Sequence, residues 1–147
     1  MAHILIVEDE PTNAEVAAVI CQAAGHTVAF AAHGEEALAL LAKERFDLAL
    51  VDVQMPVMDG LALTRRIRAH PEWRHLPILA VTAKASAVDQ GHMWEAGMSH
   101  VVTKPYRNSI LRQAVEELLA QVDRGAREAR VPRATEGAPA EPMSEAG

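Results

Sequence analysis

The chain has 147 residues, half of them hydrophobic, with 20 acidic against 14 basic side chains and a formal net charge of −6. That length suits one domain with one core, and the acidic balance gives no basic footprint for a nucleic-acid backbone, so no nucleic-acid partner is expected. The lone cysteine, Cys21, excludes an internal disulfide and suggests a reducing compartment, the cytoplasm.

Met1, Ala2 and His3 lead straight into the apolar run Ile4–Val7, which acids end. No basic segment with a long apolar stretch precedes it, so a signal peptide is not expected. Nor does any apolar stretch reach the roughly 20 residues of a membrane helix. Pro11 is placed to open a first helix and Gly25 to close it, with Val16, Val19, Ile20 and Ala23 sharing a face. Further short apolar runs follow at Val28–Ala32, Leu48–Val51, Ile78–Val81 and Val101–Val102. They are too short for core helices, and several are rich in Val and Ile, so they are assigned as buried strands. Ala37, Leu38 and Leu41 mark another helix face. The stretch Lys84–Ala96 has few apolar residues and is expected to be a loosely held helix. From Ile110 to Val122 the helical pattern returns with Leu111, Ala114, Val115, Leu118 and Leu119. Strand alternating with helix five times over argues for an α/β fold, a parallel sheet covered on both faces. From Arg124 onward the chain is Ala, Glu, Arg, Pro and Gly with almost no large apolar residues. Such a segment cannot offset its ordering entropy. The expected organisation is one domain over residues 1–123 and a disordered tail over 124–147.

Polar residues collect at the ends of the expected strands. Glu8 and Asp9 follow the first, Asp52 the third, Thr82 the fourth and Lys104 the fifth. In a parallel sheet those ends share one edge, and open α/β sheets place their sites there, where the strand order reverses. Clustered carboxylates repel unless a hard cation sits among them, and Mg²⁺ takes one or two carboxylates plus waters and phosphate oxygens. Lys104 adds a positive charge and Thr82 a hydroxyl donor. The set fits phosphoryl transfer to a carboxylate, with cation and Lys offsetting charge on the transferring oxygens.

Four stretches, ILIVEDE, LALVDVQMPVMDG, ILAVTA and VVTKP, resemble the receiver domains of bacterial two-component systems across roughly Ala2 to Val122. The resemblance implies a doubly wound, flavodoxin-like sheet of strand order 2-1-3-4-5. It implies that Asp52 accepts a phosphoryl group from a phosphohistidine of a histidine kinase or phosphotransfer protein. Mg²⁺, with Mn²⁺ as the alternative, would be held by Asp9, Asp52 and the backbone carbonyl of Gln54, with Glu8 acting through water. Thr82 would be the switch hydroxyl and Lys104 its charged partner, and the Lys104–Pro105 bond would be cis. The output would be a changed affinity for a downstream protein through the fourth helix, fifth strand and fifth helix. The expected protein is a stand-alone receiver, a monomer or weak dimer, and not a conventional enzyme.

Two residues depart from the family pattern. Val101 stands where many receivers carry an aromatic ring, so the signal is expected to travel through the fourth helix, unless His100 or Tyr106 supplies the ring. Glu8 replaces the commoner Asp. Gln54 occupies the position where aspartyl-phosphate phosphatases need a second acid, which argues against that chemistry. The loop Glu8-Asp9-Glu10 is unlike the Gly-, Ser- and Thr-rich phosphate loop of a flavodoxin. The seven histidines form no tight ligand pair at helical spacing and are assigned to the surface. Cys21 is assigned to the core. Trp73 and Trp94 suit either partner contacts or packing on the domain.

Overall fold

Apolar runs and amphipathic stretches fold as strict alternation: β1 (His3–Val7), α1 (Pro11–Ala23), β2 (Thr27–Ala31), α2 (Gly34–Lys43), β3 (Leu48–Asp52), α3 (Gly60–Ala69), β4 (Ile78–Thr82), α4 (Ala87–Ala96), β5 (His100–Thr103) and α5 (Asn108–Glu128). The computed structural model describes residues 1–128. Part of the expected tail, residues 129–147, therefore lies outside the described residues. The strands form one parallel sheet in the order β2-β1-β3-β4-β5, as the motifs implied.

Side chains alternate along each strand and feed two apolar layers. Ile4, Ile6, Leu48, Leu50, Leu79 and Val81 pack beneath α1 and α5. Leu5, Val7, Ala49, Val51, Ile78 and Ala80 pack with Ala37 and Leu41 of α2, Leu63 and Ile67 of α3 and Met93 of α4. Every residue of β3 and β4 is buried, which is why those strands read as unbroken apolar runs. Each fully buried large aliphatic side chain contributes about 1.5–3 kcal/mol relative to an exposed one.

The expected face of α1 is corrected. Val16 and Val19 are exposed, as is Ala23, and the buried stripe is Ala14, Ala17, Ala18, Ile20 and Cys21. Size outweighs hydropathy here: four small side chains at helical spacing let α1 lie close to the sheet, and the two valines turn outward. The helix ends behave as anticipated. Pro11 occupies the first turn, and the Glu10 carboxylate accepts from the Asn13 N–H at 3.0 Å. At the other end Gly25, at φ +95°, lets the Gly25 and His26 N–H groups donate to the Gln22 and Cys21 carbonyls. Cys21 is buried as assigned, and burial pushes its thiol pKa up to about 11.

The fourth helix buries only Met93 and Ala96. Its ends carry the order instead. A Ser86–Asp89 capping box closes the start, and Gly97, at φ +107°, closes the finish.

Gly60 opens α3 directly against the strand that carries Asp52. A Cβ there would sit 2.7 Å from the Asp52 carbonyl oxygen and 2.8 Å from Val53 Cα, whereas one on Gly91 in α4 meets nothing within 4 Å. Gly60→Ala is expected to destabilise the fold by about 1–3 kcal/mol through overpacking. Gly91→Ala is expected to stabilise it by about 0.5–1 kcal/mol. Urea denaturation of the two variants measures both signs.

Candidate functional site

The register of the sheet builds the site. Val7 is level with Val51, Asp52 with Val81, and Thr82 with Thr103. The next residues therefore emerge together at the carboxyl edge, beside the point where strand order reverses between β1 and β3. Backbone bonds hold them there: Glu8 N–H to the Ala31 carbonyl, Val53 N–H to Val81 and Lys104 N–H to Thr82, at 3.0, 3.1 and 2.8 Å.

Carboxylate oxygens of Glu8, Asp9 and Asp52 lie within 4.8 Å of one another. Glu8 and Asp52 are buried and Asp9 is exposed, so the cluster is a shallow cup with two walled acids and one open to solvent. Lys104 Nζ stands 3.1 Å from Glu8 Oε1 and 3.7 Å from Asp52 Oδ2. Three carboxylates thus face one ammonium, an excess of negative charge that one divalent cation offsets, and an all-oxygen donor set suits a hard ion. The cluster fits a metal site. Glu8 carries the electrostatic cost: burial raises its pKa, and the Asp52 charge raises it further, against the opposing pull of Lys104 and the Glu10 N–H. Asp52 is oriented from its own loop, where the Gln54 N–H donates to Oδ1 at 3.2 Å.

Thr82 is fully buried beside this cup. Its hydroxyl donates to the Lys84 carbonyl and accepts from the Lys84 N–H and from Gln54 Nε2, at 3.1, 3.0 and 3.1 Å. Glu8, Asp9, Asp52, Gln54, Thr82 and Lys104, each singled out from the sequence, are thus gathered at one edge. The Lys104–Pro105 bond is cis.

Other expectations meet mixed outcomes. Val101 is half-buried in the layer below α3 and α4, while Tyr106 packs in the opposite layer. Histidines are more engaged than a plain surface assignment implies. His26 Nδ1 accepts from the Ala2 N–H at 3.1 Å, and Nε2 lies 2.7 Å from Glu116. His3 stacks on Phe46, and His70 stacks on Trp73. Trp73 packs on the domain, whereas Trp94 is exposed. One residue the motifs did not flag is Arg68. Its guanidinium donates to the carbonyls of Gly97, Trp73 and Arg74, and burial lowers its pKa to about 10. No spacing rule marks it, because its partners are backbone oxygens brought near only by folding.

The model of the response regulator receiver domain matches residues 4–116. The chain belongs to the receiver-domain family. Among curated relatives, this receiver is 34% identical over 102 residues to the polar-differentiation response regulator DivK of Brucella anthropi, covering 69% of this chain and 83% of that protein. It is 34% identical over 117 residues to the response regulator PleD of Caulobacter vibrioides, covering 80% of this chain but 26% of that protein. The receiver spans still smaller fractions of longer relatives, such as 10% of the hybrid signal transduction histidine kinase K of Dictyostelium discoideum. Among solved structures, the chemotaxis protein CheY4 of Vibrio cholerae shares 31% identity at a TM-score of 0.77, over 80% of this chain and 98% of that one. The receiver domain of a sensor histidine kinase from Pseudomonas aeruginosa, with a magnesium ion coordinated in its active-site cleft, shares 34% at 0.75, over 81% and 98%. Receivers are the phosphorelay modules of two-component signalling, working with histidine kinases or phosphotransfer partners. Among the described residues of this receiver, no helix is long and apolar enough to cross a membrane.

A charged Glu8 favours a cation in the cup, directly or through water, so its raised pKa sets a pH limit. Mg²⁺ affinity of the receiver is expected to fall as pH drops from neutral toward 4.5, the ordinary value for Glu. In Glu8→Gln the affinity at neutral pH is lower, and its onset of loss lies at more acid pH. Calorimetric titrations across that range read both effects.

Proposed function

We propose that Asp52 is the phosphoacceptor and that the domain catalyses its own phosphorylation and dephosphorylation with Mg²⁺. The observation that carries this reading is the meeting of Glu8, Asp9 and Asp52 within 4.8 Å with Lys104 beside them. Asp9, Asp52 and the Gln54 carbonyl would hold the cation, with Glu8 acting through water; Mn²⁺ suits the same oxygen donors. When bound, the cation offsets charge on the transferring phosphoryl oxygens.

The remaining work falls to the chain. An Asp52 oxygen attacks phosphorus as the bond to the donor imidazole breaks. The Gln54 N–H, on Oδ1, orients the attacking carboxylate. Lys104, 3.7 Å from Oδ2, pairs with the new phosphoryl group, and Thr82 donates to one of its oxygens after leaving its present partners. That movement biases the segment Lys84–Gly97 and, with it, the surface of α4, β5 and α5. A cavity of about 310 Å³ there, lined by Gln90, His100, Ile110 and Glu117, supports this face as the output surface. The donor is a histidine kinase or phosphotransfer protein in the cytoplasm, and the protein acts as a monomer or weak dimer.

Incubation with Mg²⁺ and acetyl phosphate is expected to add one labile phosphoryl group to the wild type, seen by intact mass, and none to Asp52→Ala. Chelating the metal before the donor is added prevents the adduct. An adduct that persists in Asp52→Ala removes Asp52 from the role.

A further inference from the structure

The hydroxyl of Thr82 is saturated. A hydroxyl has one proton and two lone pairs, and all three are in use: the proton on the Lys84 carbonyl, the lone pairs on the Lys84 N–H and Gln54 Nε2. None of these bonds runs to Asp52. To grip a phosphoryl oxygen the hydroxyl must withdraw its proton from Lys84. Two of the three restraints come from the loop that follows Thr82 itself. The third comes from across the site, from the side chain two residues beyond Asp52, reaching over 28 positions of sequence. Thr82 itself is fully buried.

We propose that the Gln54 side chain is a latch on Thr82: it holds the hydroxyl in its unmodified arrangement and so sets how readily the domain switches. The inference rests on Asp52 as phosphoacceptor and Thr82 as the moving hydroxyl. Gln54 is a positioning residue in this role, acting through Thr82. On this proposal the hydrogen bond from the Gln54 amide to Thr82 is lost when the hydroxyl moves, so removing it shifts the population toward the moved arrangement without adding any contact to it.

The test uses beryllofluoride, a phosphoryl mimic, at saturating Mg²⁺. Gln54→Ala is expected to bind it about two- to tenfold more tightly than wild type, the range for loss of one net hydrogen bond. In a Thr82→Val background, whose isosteric side chain cannot hold the latch, Gln54→Ala is expected to leave the affinity unchanged. A direct contact between Gln54 and the mimic predicts an effect that persists in that background, and such persistence overturns the proposal, as does an unchanged affinity in the Thr82 protein. A second readout needs neither metal nor mimic: the Gln54 side-chain amide resonances should shift in Thr82→Val, and resonances that stay in place also overturn the latch. A wild type that binds no beryllofluoride overturns instead the phosphoacceptor reading, and the amide resonances still report whether the contact exists.

Discussion

Like charges forced together at the end of a parallel sheet are the constraint around which this domain is arranged. Glu8, Asp9 and Asp52 would separate if free in water, and nothing in their own chemistry favours the cluster. Ladder hydrogen bonds and two apolar layers hold the ends of β1 and β3 side by side and impose the crowding. Lys104 relieves part of it by bridging Glu8 and Asp52. What is left over is an excess of negative charge that a divalent cation would fit. Folding energy gained in the core thereby supports crowding of like charges at the rim, a common exchange in which strain at a site is supported by the structure around it.

The same rim is where the most lightly held helix begins. Only Met93 and Ala96 tie α4 into the core, so its placement depends on its ends. Its first residues follow the Thr82–Lys84 turn, and the carbonyl of Gly97, the residue that closes it, accepts from Arg68. Arg68 meets backbone oxygens and Ser99 rather than a carboxylate, so its partners are dipoles and not opposing charges. A helix fixed at two points and loosely packed between them is suited to shifting as a body when one point moves. Val101, a small half-buried side chain under this helix, places no ring in the way.

Much of this was legible from spacing alone. The strands stood out because β3 and β4 are buried on both faces and carry apolar side chains up to their last residues, Asp52 and Thr82. The acids, Thr82 and Lys104 stood out because parallel strands send their ends to one edge whatever their exact lengths. The face of α1 was misjudged: hydropathy ranks valine above alanine, but close approach to a sheet selects for small size, and the two criteria diverge by part of a turn. The engaged histidines escaped notice for another reason. His26 meets Ala2 and Glu116, and His3 meets Phe46, across separations that no local pattern encodes.

The sequence by itself determined the alternation of elements and which side chains would line the carboxyl edge, because these depend on periodicity and on the shared direction of parallel strands. The order of the strands came from the resemblance of its motifs to a family, not from periodicity. Tertiary structure alone decided the partners within that edge: Lys104 nearer Glu8 than Asp52, the Thr82 hydroxyl committed to Lys84 and Gln54, Arg68 closed over the end of α4. Hydrogen bonds and ion pairs hinge on fractions of an ångström and on burial, and those quantities exist only once distant segments have packed.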